Sequence, residues 1–124
     1  MLKDRTTFST FAVPDVARAK QFYAETLGLE VDEEMGGLLL KLRPGNVFVY
    51  PKDDHVPANF TVLNFEVEDI DAAVDELAAA GVRFERYDGF EQDEKGIARG
   101  DEGPAIAWFT DPAGNIFSVV AESR

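Results

Sequence analysis

The chain has 124 residues, of which 45% are hydrophobic and ten are Phe, enough for one compact domain and a poor composition for a disordered segment. Its 24 acidic residues against 12 basic ones give a formal charge of −12, which repels phosphate backbones and argues against nucleic acid or an anionic membrane surface as partner. The absence of cysteine removes disulfide and thiolate chemistry, and no apolar run approaches the roughly 20 residues that span a bilayer.

Residues 1–5 are polar and carry no apolar signal core, which together with the lack of cysteine makes the cytoplasm the expected location. The acidic excess reads as a solvated surface or an adaptation to high salt. Residues 6–13 suit a strand. Pro14-Asp15 interrupts it, and Asp15 is placed to cap a helix whose apolar positions Val16, Ala19, Phe22, Tyr23 and Leu27 recur every three to four residues until Gly28. Residues 29–32, 37–43 and 47–50 then read as three short strands, with Pro44-Gly45-Asn46 as the last turn.

The second half repeats this order. Residues 60–67 are strand-like, Asp69 caps a helix with Ile70, Ala73, Val74 and Leu77 on one face, and Gly81 ends it. Residues 82–87, 104–110 and 116–121 follow as strands. The letters match as well: Val13-Pro14-Asp15-Val16 corresponds to Val67-Glu68-Asp69-Ile70, and Gly45-Asn46-Val47-Phe48-Val49 to Gly114-Asn115-Ile116-Phe117-Ser118. The chain is therefore one α+β domain made of two βαβββ modules, at about 6–51 and about 59–122, joined by a linker at about 52–58. Strand alternation sets Phe11 and Val13 against Phe8, Thr10 and Ala12, and Leu63, Phe65 and Val67 against Val62, Asn64 and Glu66. The uniformly apolar sets should lie under the helices, leaving Thr10, Asn64 and Glu66 on the opposite, more polar face.

The paired modules, the phrase Phe22-Tyr23 followed by Leu27-Gly28, and the late signature Asp111-Pro112-Ala113-Gly114-Asn115 resemble the vicinal oxygen chelate superfamily, the glyoxalase, bleomycin-resistance and extradiol-dioxygenase group. The resemblance implies an eight-stranded, cupped mixed sheet with helices outside, a ligand cavity within the cup, and a homodimer. It also implies divalent-metal ligands at four places: seven residues before each capping Asp and four after each turn Gly. Those places hold Phe8, Val62, Val49 and Ser118, and a shift of one residue finds no His or carboxylate either. Three apolar side chains and a hydroxyl are not a donor set for a divalent cation, so no metal or other cofactor is expected.

The remaining expectation is a metal-independent protein that binds a small organic molecule on the concave face. Phe8, Val47, Val49, Phe60, Val62 and Ile116 would form the apolar lining, Thr10, Asn64, Glu66 and Ser118 would supply hydrogen bonds, and Trp108 stands beside them. The alternative is an enzyme of the same superfamily, either using Glu66 as a general base if desolvation raises its pKa, or holding a metal through other ligands. Glu66 reads equally as a plain solvent-facing residue, and the lining residues could instead simply fill a core. Residues 88–103 form a long, acidic, Gly-punctuated stretch that reads either as a lid carrying Phe90, Ile97 and Arg99 or as a mobile surface loop. The single histidine, His55, lies in the linker beside Asp53 and Asp54, as an exposed loop residue or a weak ion site.

Overall fold

The computed structural model describes residues 1–100 and 103–122. They fall into two compact units, Met1–Val56 and Pro57–Arg124.

The first unit contains β1 (Ser9–Val13), α1 (Val16–Gln21), β2 (Glu30–Glu34), β3 (Gly37–Lys41) and β4 (Val47–Pro51). Its sheet has the order β1-β4-β3-β2, with β1 parallel to β4 and the other pairs antiparallel. Asp15 caps α1 as its position predicts, its carboxylate accepting the Arg18 N–H at 3.0 Å. The helix does not run on unchanged to Leu27. At Phe22–Thr26 it widens into one π turn, in which the Leu27 N–H reaches back five residues to the Phe22 carbonyl at 3.0 Å. Tyr23 in this turn is fully buried and meets Phe11 of β1 edge-on at 6.3 Å, so Phe11 does lie under the helix. Gly28, at φ +72°, then releases the chain into β2. Met35 and Gly36, at φ +47° and +77°, form the two-residue turn into β3 with both central residues left-handed, the geometry whose twist matches paired strands.

The second unit contains β5 (Thr61–Val67), α2 (Ile70–Ala79), β6 (Phe84–Glu85), β7 (Ile106–Thr110) and β8 (Ile116–Ala121). Its sheet repeats the plan as β5-β8-β7-β6, again with one parallel pair, β5 and β8. Asp69 caps α2 through the Ala72 N–H at 3.1 Å, and Ile70 and Val74 are buried where α2 packs on β8. The two βαβββ modules of the sequence reading are thus present, each with its own four-stranded mixed sheet. Among the described residues, no helix is long and apolar enough to cross a membrane.

Strand ends depart from the sequence expectation where a ladder partner is missing. β1 begins at Ser9 rather than residue 6, because its partner β4 begins at Val47, opposite Ser9, and the chain before Val47 is turning. β6 keeps only two of the six residues expected: the Tyr87 N–H is taken by the Gln92 side chain at 2.9 Å, and the chain turns at Asp88-Gly89.

The core lies on one face of each sheet. In the first unit Val13, Leu38, Leu40 and Val49 are fully buried with Tyr23; in the second, Ala107, Phe109, Phe117 and Val119 are buried, and Phe117 meets Phe109 at 5.7 Å and Phe65 at 6.3 Å. Each fully buried Val, Leu or Phe among them contributes about 1.5–3 kcal/mol through removal from water.

Candidate functional site

The register identifies which side chains share the face away from the core. In the second unit Asn64 pairs with Ser118, Ser118 with Trp108 and Trp108 with Glu85, so these four form one row across β5, β8, β7 and β6. The next row is Glu66, Val120 and Ile106. Ser118 is fully buried and its hydroxyl donates to Asn64 Oδ1; Trp108 is 8% exposed, while Asn64 and Glu66 are exposed. Glu66 therefore lacks the burial that the general-base reading requires.

The corresponding row in the first unit is Thr10, Phe48, Leu39 and Asp32. This corrects the expectation for Val49. It pairs with Phe11 and Leu38, is fully buried, and belongs to the core face, as does Val47 opposite Ser9 and Leu40. The counterpart of Ser118 is Phe48, three residues after Gly45, whereas Ser118 lies four after Gly114; the spacing rule misses by one because six residues (41–46) lie between the closing pair Leu40–Val47 and only five (111–115) between Thr110–Ile116. Val62 sits at a bulge, as the extra residue between the pairs Thr61–Ile116 and Leu63–Phe117, and is half-buried. Phe8 and Phe60 fall just outside β1 and β5 and are 66% and 64% exposed, so they line no enclosed wall within their own units. Phe8, Val62, Val49 and Ser118 at the four implied ligand places do not fit a divalent ion, which needs carboxylate, imidazole or water oxygen, and Phe48 in the place of Val49 offers no donor either. Among the described residues no group of three or more His, Cys, Asp or Glu is arranged to hold one.

The segment after β6 adds a wall the strand pattern does not reveal. Tyr87 meets Trp108 edge-on at 5.5 Å, and Phe90 lies against the same indole at 4.9 Å. Beside them opens a groove of about 640 Å³ lined by Tyr87, Phe90, Ile97, Arg86 and Arg99 together with Asp88, Glu91, Gln92 and Asp93. Phe90, Ile97 and Arg99, expected on a lid, are all among its walls, and the described part of this stretch packs against β7. Ile97 is 1% exposed, and Ala98 bridges Gln92 on one side and Ile106 of β7 on the other. Residues 101–102 of the stretch lie outside the described residues.

Two side chains hold this wall in place. Gln92 accepts from the Tyr87 N–H at 2.9 Å and donates to the carbonyls of Glu85 and Gly96 at 2.9 and 2.8 Å. Asp93 accepts the Lys95 and Ile97 N–H groups, both at 2.9 Å, and Arg99 Nε at 3.3 Å. Burial acts to raise the Asp93 pKa, but those two backbone donors and the Arg99 guanidinium outweigh it and hold the carboxyl below its usual range. Arg99 also pairs with Asp71 of α2 at 2.7 Å, and Arg86 donates to the Gln92 and Asp93 carbonyls at 3.5 and 2.7 Å. Burial, then the nearby Glu85 carboxylate, pushes the Tyr87 phenol pKa up and keeps it protonated. The legible signal for this wall was the acidic, Gly-punctuated stretch itself; Arg86 and Gln92 gave none, because their roles depend on backbone groups of the same loop.

His55 is half-buried rather than exposed. Its Nε2 is buried without a hydrogen-bond partner among the described residues, and Asp54 is turned to Lys52 at 2.8 Å. The signature near the end of β7 is structural: Asp111 accepts the N–H groups of Ala113 and Asn115 at 3.0 and 2.9 Å and the Asn115 side-chain amide at 3.0 Å, closing the turn into β8.

Residues 5–119 match the family model described as the Glyoxalase/Bleomycin resistance protein/Dioxygenase superfamily. No curated protein matches. Among solved structures, a member of that superfamily from Sphaerobacter thermophilus DSM 20745 is 27% identical, with a TM-score of 0.73 over 98% of this chain and 100% of that one. The antibiotic binding protein TnmS3 from Streptomyces sp. CB03234 is 24% identical, with a TM-score of 0.66 over 97% and 98%. The fosfomycin resistance protein FosX from Listeria monocytogenes is 13% identical, with a TM-score of 0.74 over 98% and 96%; these last two similarities carry the fold alone. The chain belongs to the Glyoxalase/Bleomycin resistance protein/Dioxygenase superfamily.

Proposed function

We propose that this superfamily member binds a small organic molecule in its second unit without a protein-held metal. The ligand would lie in the groove beside Tyr87, Phe90 and Ile97, with the Trp108 indole in contact with the Tyr87 and Phe90 rings. The observation that carries this reading is the groove itself. Its volume of about 640 Å³ suits a small-molecule ligand, sites for which run from about 300 to 1,000 Å³. Its aromatic walls are positioned before any ligand arrives, which lowers the ordering cost of binding. The donor types at the inherited ligand places support the metal-free part. The description of TnmS3 as antibiotic binding is compatible with such a role, though the reading for this chain is argued from its own groove.

The test has two parts. Native mass spectrometry and elemental analysis of protein purified without chelators should show no stoichiometric Zn, Ni, Fe or Mn; a metal at one per chain overturns the metal-free part. A screen of small aromatic compounds that watches Trp108, the only tryptophan, by fluorescence should find saturable ligands whose binding weakens in Phe90→Ala. A screen in which every ligand binds Phe90→Ala as well as the native protein overturns the groove.

The homodimer implied by the resemblance belongs to the same proposal. Support comes from Phe8 and Phe60, large apolar side chains left exposed at the heads of β1 and β5. Sedimentation of the native protein should give a dimer that a Phe8→Ser/Phe60→Ser variant weakens; a native monomer contradicts it.

A further inference from the structure

The groove has a charge character that narrows its ligand, and this inference rests on the binding reading above. Of its charged side chains, Arg99 is engaged by Asp71 and Asp93, and Asp93 is further engaged by two backbone N–H groups. Arg86 is turned onto the carbonyls of Gln92 and Asp93. Asp88 and Glu91 are exposed and have no hydrogen-bond or ion-pair partner among the described residues. Setting these two carboxylates against the Arg86 guanidinium leaves the groove with a negative excess of one, in a chain whose formal charge is −12. Phe90 lies between Asp88 and Glu91 in sequence and keeps 55% of its surface exposed while resting on Trp108. An exposed aromatic ring flanked by unpaired carboxylates favours a cation with an apolar or aryl body, because the ring quadrupole and the carboxylates attract the same sign.

We propose that the groove at residues 86–99 selects organic cations, the charged nitrogen lying toward Asp88 and Glu91 and the hydrocarbon part on Phe90. A carboxylate touching a monocation at an exposed site is worth roughly fivefold in affinity at low salt, and screening removes most of that near 1 M.

Three probes of similar size and different charge test it: benzyltrimethylammonium, benzyl alcohol and phenylacetate, titrated by calorimetry and by the amide and single indole N–H resonances of the ¹⁵N-labelled protein. The ammonium should bind roughly tenfold more tightly than the alcohol at low salt, and phenylacetate least. That advantage should shrink toward parity in Asp88→Asn/Glu91→Gln, whose exposed positions leave the fold undisturbed, and in about 1 M salt. Phe90→Ala should weaken both the ammonium and the alcohol. If charge makes no difference while Phe90→Ala still weakens binding, the cation inference falls and the binding reading stands. A preference for the ammonium that survives Asp88→Asn/Glu91→Gln also overturns the inference. If no probe moves the Trp108 indole resonance, both fall.

Discussion

Replacing Gln92 with Ala removes three hydrogen bonds at once, those to the Tyr87 N–H and to the Glu85 and Gly96 carbonyls, all between 2.8 and 2.9 Å and part-buried. A neutral hydrogen bond of this kind contributes about 1 kcal/mol net, so the loop should lose about 2–3 kcal/mol against local opening once water partly replaces the lost partners. Read by native-state hydrogen exchange, this is about a 30- to 150-fold faster exchange of the Tyr87 amide, with Phe90 loosened from Trp108 and a shifted tryptophan emission. Gln92→Glu sharpens the test. It keeps an acceptor for Tyr87 but loses both donors and sets a carboxylate oxygen against two carbonyl oxygens, so it should be at least as damaging as Ala although it is nearly isosteric. Exchange at Tyr87 within about threefold of the native protein in both variants would refute the reasoning. It would mean that buried Ile97 and the Ala98 bridges hold the wall without Gln92.

Leu40→Ala should cost about 2–5 kcal/mol in urea unfolding because Leu40 is fully buried on the core face, and Leu39→Ala on the other face should cost clearly less; equal losses would contradict the register. Asp69→Ala should lower stability by about 1 kcal/mol through loss of the Ala72 cap, and an unchanged urea midpoint would count against it. Met35→Asn should raise stability by about 0.5 kcal/mol, since asparagine tolerates the left-handed turn position that Met35 occupies at φ +47°, and a lower melting temperature would contradict that. Asp93 is held below its unfolded value of 3.8, so its stabilising effect is present above about pH 4 and is lost as the pH falls through the lower folded value. The stability gap between the native protein and Asp93→Asn should therefore close on acidification from about pH 6 to about pH 2, and a gap that widens would refute the sign.

The duplicated plan was legible in the amino-acid sequence because its determinants are local. Asp15 and Asp69 cap helices three residues away, Gly28 and Gly81 stop them, and apolar periodicity assigns Phe11 and Phe65 to the core face whatever else the chain does. The chemical types at the inherited ligand places were legible too, since a phenylalanine or a valine offers a metal no donor in any conformation. Register was not. That Val49 faces the core and Phe48 stands where Ser118 does depends on a hairpin connection one residue longer in the first module, and a one-residue slip reverses every side chain of a strand. The aromatic wall beside the groove was even further from view. Tyr87, Phe90 and Trp108 come together only because Gln92 and Asp93 spend their side chains on the backbone of their own loop, and hydrogen bonds of that kind follow no period that a sequence displays.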